Sequence, residues 1–426
     1  MDMMPLVIGI DIGTSGARAV AMRPDFSIAG HSAVPLDRFG GDGRAPTAWW
    51  QAVKAVLTEL LSGIDRTAVR AIAVDGTSGT LLPVDAAGRP LAEPLMYNDK
   101  VDDDDILAAI ARTAPAASAA HGATSGLAKA LRFQHLPGIA MVLHQADWIA
   151  GNFSGRFDVS DENNALKTGY DVEARRWPEW IAATGMRMEL LPRVVVPGEV
   201  TGALTAEAGE LFGLPRDVAV VAGTTDGCAS FLATGAAAIG DGVTALGSSL
   251  TIKILSDRPI SAPRFGIYSH RLGNAWLAGG ASNSGGKVLA QHFPLARIIE
   301  LSATIDPETG TGLDYYPLPA TGERFPIADP ALPPRLAPRP ADDADYLKAM
   351  FEGIAAIEAL GYDRLAELGA PTLISVRSVG GGAANPAWTA IRRRRLGVDF
   401  LPALSDEAAA GTARLALMGA SRAGLL

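Results

Sequence analysis

Five short apolar segments, spread over both halves of the chain, each lead into a turn rich in Gly, Ser or Thr. Leu6-Val-Ile-Gly-Ile10 enters Asp11-Ile-Gly-Thr-Ser-Gly-Ala-Arg18, and Ala71-Ile-Ala-Val74 enters Asp75-Gly-Thr-Ser-Gly79. Val218-Ala-Val-Val-Ala222 precedes Gly223-Thr-Thr-Asp-Gly227, and Val243-Thr-Ala-Leu246 precedes Gly247-Ser-Ser249. The fifth segment, Leu373-Ile-Ser-Val376, comes shortly before Gly380-Gly-Gly382. Apolar runs of this length, closed by such residues, read as buried strands. Open α/β sheets bind ligands outside their strand ends. Two such sheets facing each other would enclose a ligand cleft, so the pattern predicts an α/β chain of two domains.

The length permits this. At 426 residues the chain suits two domains of roughly 200 residues each, and its apolar share of 48% supplies two cores. The predicted boundary lies at Gly235-Ala236, giving domains of residues 1–235 and 236–426. No apolar run approaches the ~20 residues of a membrane span, and Met1-Asp-Met-Met-Pro5 has no basic region of the secretory kind. A single cysteine, Cys228, allows no internal disulfide and suits a reducing compartment. A formal charge of −9 speaks against general affinity for nucleic acid or anionic membranes. The expectation is a cytoplasmic protein, monomer or homodimer, whose partners are small molecules.

Local patterning adds detail. Val20-Ala-Met22 follows the first turn closely, so residues 11–18 should cap a hairpin, and residues 49–61 show helical spacing. Residues 317–340, rich in proline, read as an ordered surface excursion or a flexible connection. The acidic run at residues 102–105 reads as a solvated helix start, and Arg392 to Arg395 as an exposed helical face.

The first turn holds a carboxylate, two glycines, two hydroxyls and a guanidinium. Gly13 and Gly16 would let backbone N–H groups approach an anion, and Thr14, Ser15 and Arg18 add donors suited to phosphate. Asp11 would repel bare phosphate, which makes sense if a divalent cation lies between them. The alternative is an ordinary hairpin whose glycines supply positive φ. Gly247-Ser248-Ser249 offers a second nest or a plain turn, and Gly380-Gly-Gly-Ala-Ala-Asn385 a flat approach to backbone or merely a flexible loop. No Gly-Lys-Ser/Thr follows these glycines, and Gly-x-Gly-x-x-Gly is missing after the first strand, which argues against a Walker loop and a dinucleotide fold. Asp226 sits at a strand-to-helix transition, where it can either cap the helix or take a proton from an attacking hydroxyl. Cys228, with no histidine beside it, reads as a packed small residue.

Together these loops resemble the FGGY family of carbohydrate kinases, in the expected order and over nearly the whole chain. Residues 11–18 resemble its first phosphate loop, Ala222-Gly-Thr-Thr-Asp-Gly-Cys-Ala229 its catalytic-aspartate motif, and Gly247-Ser-Ser249 its second phosphate loop. Gly279-Gly-Ala-Ser-Asn-Ser-Gly-Gly286 and residues 380–385 resemble its nucleotide-side motifs. Within the family, Asp75-Gly-Thr-Ser-Gly79, Tyr97-Asn-Asp99, Ser125-Gly-Leu-Ala-Lys129 and Asn164-Ala-Leu-Lys-Thr-Gly-Tyr170 are most similar to the short D-ribulose kinases.

The resemblance implies a two-domain actin-like ATPase (ribonuclease H-like) fold with the active site in the interdomain cleft. It implies transfer of the ATP γ-phosphoryl group to a terminal sugar hydroxyl, with Mg²⁺. Asp226 maps onto the base and Asp11 onto the metal-side carboxylate. Thr14, Ser15, Arg18, Gly247 and Ser248 map onto phosphate contacts, and Gly280, Gly381 and Asn385 onto the nucleotide pocket. Gly76, Thr77, Ser78, Asn98 and Gly227, with Asp226, fall where the sugar is bound. Xylulokinases carry Met-His where this chain has Thr77-Ser78, and many relatives carry Trp at Tyr97. Three readings follow: a D-ribulose kinase, a kinase for another ketose or polyol such as xylulose or ribitol, and a non-enzymatic actin-like ATP-binding protein.

Overall fold

The computed structural model describes residues 4–40 and 43–426. Two compact units divide it. Met1–Ala233, His270–Gly273 and Glu407–Leu426 form one; Thr234–Ser269 and Asn274–Asp406 form the other.

The sheet of the first unit runs in the order Ile28–Pro35, Gly16–Met22, Leu6–Ile12, Val69–Gly76, Ala219–Val221, Val200–Ala203. Leu6–Ile12 is antiparallel to Gly16–Met22 and parallel to Val69–Gly76, which is in turn parallel to Ala219–Val221. The period of two explains why Leu6–Ile12 is buried throughout. Ile8, Ile10 and Ile12 face one core with Trp49, Val53, Val56 and Leu57 of the helix Pro46–Ser62, while Val7 faces another with Ala409, Ala413 and Ala416.

That second core corrects the expected boundary. All residues after 235 were assigned to the second domain, yet Glu407–Leu426 belongs to the first unit. The cause is side-chain size. The helix Ala408–Arg422 is so rich in Ala and Gly that backbone meets backbone. A Cβ on Gly411 would stand 1.8 Å from the Ala229 carbonyl oxygen, and one on Gly9 would stand 2.1 Å from that of Ala409.

In the second unit, Ala275–Ser282, Leu250–Ser256, Asp241–Leu246, Ser375–Val379 and Asp399–Leu401 pair in that order. The helix Asp343–Glu367, capped by the Asp342 carboxylate accepting from the Ala344 and Asp345 N–H groups, supplies Phe351, Ile354 and Ile357 to the core. The fifth strand begins at Ser375, where pairing with Asp241 starts, two residues later than the apolar run suggests, and Ile374 before it is half exposed. Residues 317–340 are ordered: Phe325 is buried, Glu323 pairs with Asp329 within the segment, and Arg335 pairs with Tyr316 just before it. Residues 102–105 do start a helix, Asp104–Thr113, whose cap is Asp103.

Arg392 departs from expectation. It is fully buried, not part of an exposed face, and it binds Glu358 through two nitrogens at 2.6 and 2.7 Å. Its helix, Pro386–Leu396, turns Trp388, Ile391 and Arg392 inward at 3.6-residue spacing and leaves Arg393, Arg394 and Arg395 outward.

Candidate active site

The parallel strands of the first unit bring three carboxylates to one edge. Asp11 and Asp75 are register partners near the ends of Leu6–Ile12 and Val69–Gly76, and Gly76 bridges to Thr225, the residue before Asp226. The approach depends on Gly223, since a Cβ there would stand 1.7 Å from the Val74 carbonyl oxygen. The Cys228 and Ala229 N–H groups donate to the Thr225 carbonyl, so the helix Asp226–Ala233 starts with Asp226 in its first turn. Cys228 itself is buried, a packed residue as expected.

Asp11 is 5% exposed and accepts from Arg18 Nη1 at 3.1 Å. Burial raises its pKa, and the Asp226 charge adds to the rise, while Asp75 and Arg18 act against it. Asp75 is wholly buried and accepts from the Thr412 hydroxyl on the C-terminal helix. Burial first, then the Asp11 charge, holds Asp75 well above the usual carboxylate range. Both carboxyls are thus pushed upward, Asp75 the further of the two, because it is the more deeply buried and faces the Asp11 charge.

The hairpin forms as expected, with Asp11 opposite Arg18 and Ile12 opposite Ala17. Thr14 and Ser15 at its tip are exposed. Neither Gly13 nor Gly16 has positive φ, so the plain-hairpin explanation of these glycines fails. Gly16 is needed because a Cβ would stand 2.7 Å from the Val34 carbonyl oxygen.

Residues 75–79 form a second loop in the same unit. The Thr77 N–H donates to Gln145 Oε1 at 3.0 Å, and the Gln145 N–H donates to the Thr80 carbonyl at 3.1 Å. Ser78 Oγ and Gln145 Nε2 are shielded and have no protein partner among the described residues, which leaves hydrogen-bonding capacity beside Gly76 and Thr77. The Tyr97 N–H donates to Thr80 Oγ1 at 3.1 Å, which sets Tyr97 and Asn98 next to this loop with both side chains exposed. Gly227 donates its N–H to Asp226 Oδ1 at 2.7 Å.

In the second unit Gly247 and Ser248 are exposed at a turn pinned from beyond it, where the Gly286 and Lys287 N–H groups donate to their carbonyls at 2.8 and 3.0 Å. Gly380 and Gly382 pack on Leu246, immediately before that turn, while Gly381 has nothing within 4 Å of its Cβ position. Gly381 thus offers open backbone. Gly280 does not: it lies buried in Ala275–Ser282, and its missing side chain makes room for the Phe325 ring, 2.6 Å from where a Cβ would be. The Asn385 side chain is already engaged, capping the next helix through the Trp388 N–H at 3.0 Å and donating to Ser302 Oγ at 2.8 Å.

The donor set suits a divalent cation held mainly by phosphate and water. Among the described residues no three His, Cys, Asp or Glu side chains form a metal cage. Mg²⁺ keeps several waters and needs only one or two carboxylates. Asp11, with Asp226 near enough for its charge to be felt, meets that requirement.

Sequence reasoning missed Asp75, Thr412, Gln145 and Lys129. Asp75 stood in the open as the first residue of its motif, in the place that Asp11 holds in the first turn. The other three reach the loops only through tertiary packing.

The model of the N-terminal domain of the FGGY family of carbohydrate kinases matches residues 132–233. The chain is 26% identical to a xylulose kinase of Escherichia coli (strain K12), across 98% of this chain and 90% of that one. Among solved structures, a xylulose kinase from Rhodospirillum rubrum superposes with a TM-score of 0.82 at 25% identity, covering 97% of this chain and 90% of the other. A gluconate kinase from Lactobacillus acidophilus superposes with a TM-score of 0.83 at 18% identity, covering 100% and 90%, a likeness of fold.

Proposed function

We propose that this chain, which belongs to the FGGY family of carbohydrate kinases, transfers the γ-phosphoryl group of ATP to a small ketose, D-ribulose before others. The observation that carries the reading is the strand-edge set of Asp11, Asp75 and Asp226 beside a loop with hydrogen-bonding capacity to spare at Ser78 and Gln145.

Phosphoryl transfer asks little covalent chemistry of the protein; positioning and charge do the work. Asp226 takes the proton from the attacking hydroxyl as the new P–O bond forms and the bond from the γ-phosphorus to the bridging oxygen breaks, releasing ADP. Gly76, Thr77, Ser78, Asn98 and Gly227 hold the sugar's other hydroxyls. Thr14, Ser15 and Arg18 donate to phosphate oxygens, as do the backbone and hydroxyl of Gly247 and Ser248. Gly381 lets the nucleotide lie against backbone. Asn385 acts through the helix it caps, and Gly280 through its packing on Phe325. Mg²⁺, held by Asp11, would supply neutralising charge to the phosphates. Asp75, buried and anchored by Thr412, holds the strand edge on which Asp11 stands.

D-Xylulose is the second reading, favoured by the activity named for the E. coli relative. Small hydroxyl residues at Thr77 and Ser78, in place of the Met-His of xylulokinases, favour D-ribulose. The two sugars differ in the orientation of one hydroxyl. One mispaired buried polar group costs about 1–3 kcal/mol, which is roughly 5- to 150-fold in kcat/KM. ADP release measured over a panel of free pentuloses, pentitols and glycerol tests this. D-Ribulose should give the highest kcat/KM, with measurable D-xylulose turnover. A higher value for D-xylulose would replace the substrate and leave the chemistry intact, and no stimulation by any sugar would overturn the kinase reading.

A further inference from the structure

Lys129 is 0% exposed, an unusual place for an ammonium group. It lies in the helix Gly126–Phe133, and its Nζ donates to two backbone carbonyls, that of Gly79 at 2.7 Å and that of Met96 at 2.7 Å. Those carbonyls belong to two separate segments. Gly79 closes the 75–79 loop at positive φ. Met96 opens the 96–99 turn, in which its carbonyl also accepts from the Asp99 N–H at 3.0 Å and its own N–H donates to Asp99 Oδ2 at 2.8 Å.

We propose that Lys129 is the positioning residue of the sugar pocket, tying the 75–79 loop to the 96–99 turn and so fixing the spacing between Thr77-Ser78 and Asn98. The assignment rests on the reading of those residues as sugar contacts. A buried charge is kept only where it is satisfied, and here the satisfaction comes from loop backbone, not from a facing carboxylate in contact. A charged donor to a carbonyl makes a stronger bond than a neutral one, so the tether is stiff while the lysine is protonated. Carbonyls that accept from a side chain are independent of which residues the loops carry, so the same tether can serve different sugar contacts.

The surroundings set a pH limit on it. Burial lowers the Lys129 pKa to about 8, Asp99 opposes that shift and Lys167 adds to it. Asp99 is itself paired with Arg44 and held low, and His144, which feels the Lys129 charge, has its pKa lowered to about 3 by burial. A neutral amine keeps two N–H donors but loses charge assistance, so the tether weakens above about pH 8 without vanishing.

The test is hydrogen–deuterium exchange and steady-state kinetics on the full chain with Lys129→Met, which keeps the aliphatic stem and removes the donors. In the absence of any ligand, amides in peptides covering 76–82 and 95–100 should exchange at least about 10-fold faster than in the parent, with Leu250–Ser256 unchanged as the internal reference. With whichever sugar the parent turns over best, KM for the sugar should rise about 10-fold or more, with KM for ATP within about twofold. The exchange experiment needs no substrate, so it stands even if the sugar assignment fails. If the variant does not fold, the parent serves: its sugar KM should rise a few-fold from pH 7 to 9.5 while its ATP KM stays flat. Unchanged exchange in both peptides, or equal rises in both KM values, would overturn the proposal.

Discussion

Arg392→Ala should destabilise the second unit severely. The guanidinium donates to Glu358 Oε2 at 2.6 Å and Oε1 at 2.7 Å, and to Ser378 Oγ at 2.8 Å, with both charged side chains 0% exposed. After truncation Glu358 keeps only the Thr244 hydroxyl, at 2.6 Å, as a donor from this set. One hydrogen bond cannot compensate a carboxylate that is 0% exposed. Removing one partner of a buried pair costs about 3–5 kcal/mol. For a unit of this size that is a fall in Tm of roughly 6–20 °C. Replacing both partners, Arg392→Met with Glu358→Leu, should recover most of the loss, because the penalty lies in the stranded charge. Urea unfolding of parent, single and double variants measures this. A single variant that loses less than about 1 kcal/mol, or a double variant no better than the single, would refute the reasoning.

Two further outcomes follow from the first unit. His144 is buried, and burial lowers its pKa to about 3; between about pH 3 and the ordinary value near 6.5 the unfolded chain binds a proton that the folded chain refuses, so stability falls as pH drops. From pH 7 to 5 this amounts to about 2 kcal/mol, a slope that His144→Gln should remove in paired urea titrations, and an identical slope in the variant would show that His144 is not its source. Asp11→Ala should raise the Mg²⁺ concentration needed for half-maximal turnover and lower the maximum; an unaltered Mg²⁺ titration would remove Asp11 from the metal side.

The strands and their loops were legible because buried strands and glycine-rich turns each leave a local signature, and the 11–18 hairpin and the helix starting near Asp104 formed where that signature put them. Asp226 was legible for the same reason, standing where strand turns into helix. Arg392 was half legible. Its spacing from Trp388 marks an inward face, but its partner Glu358 is 34 residues away and carries no sequence mark of the pairing. The position of the C-terminal helix was not legible, since a run of Ala and Gly states that something packs closely without stating what. Lys129 was hidden for a further reason: it binds backbone carbonyls, which every residue has.

The most direct measurement of the central claim is sugar-stimulated ADP release by Asp226→Asn, which keeps the side chain's shape and removes the proton acceptor. If Asp226 accepts the proton of the attacking hydroxyl, kcat should fall by roughly 10²-fold or more while KM for ATP changes little. A variant that retains near-parental kcat with the same sugar would contradict the account.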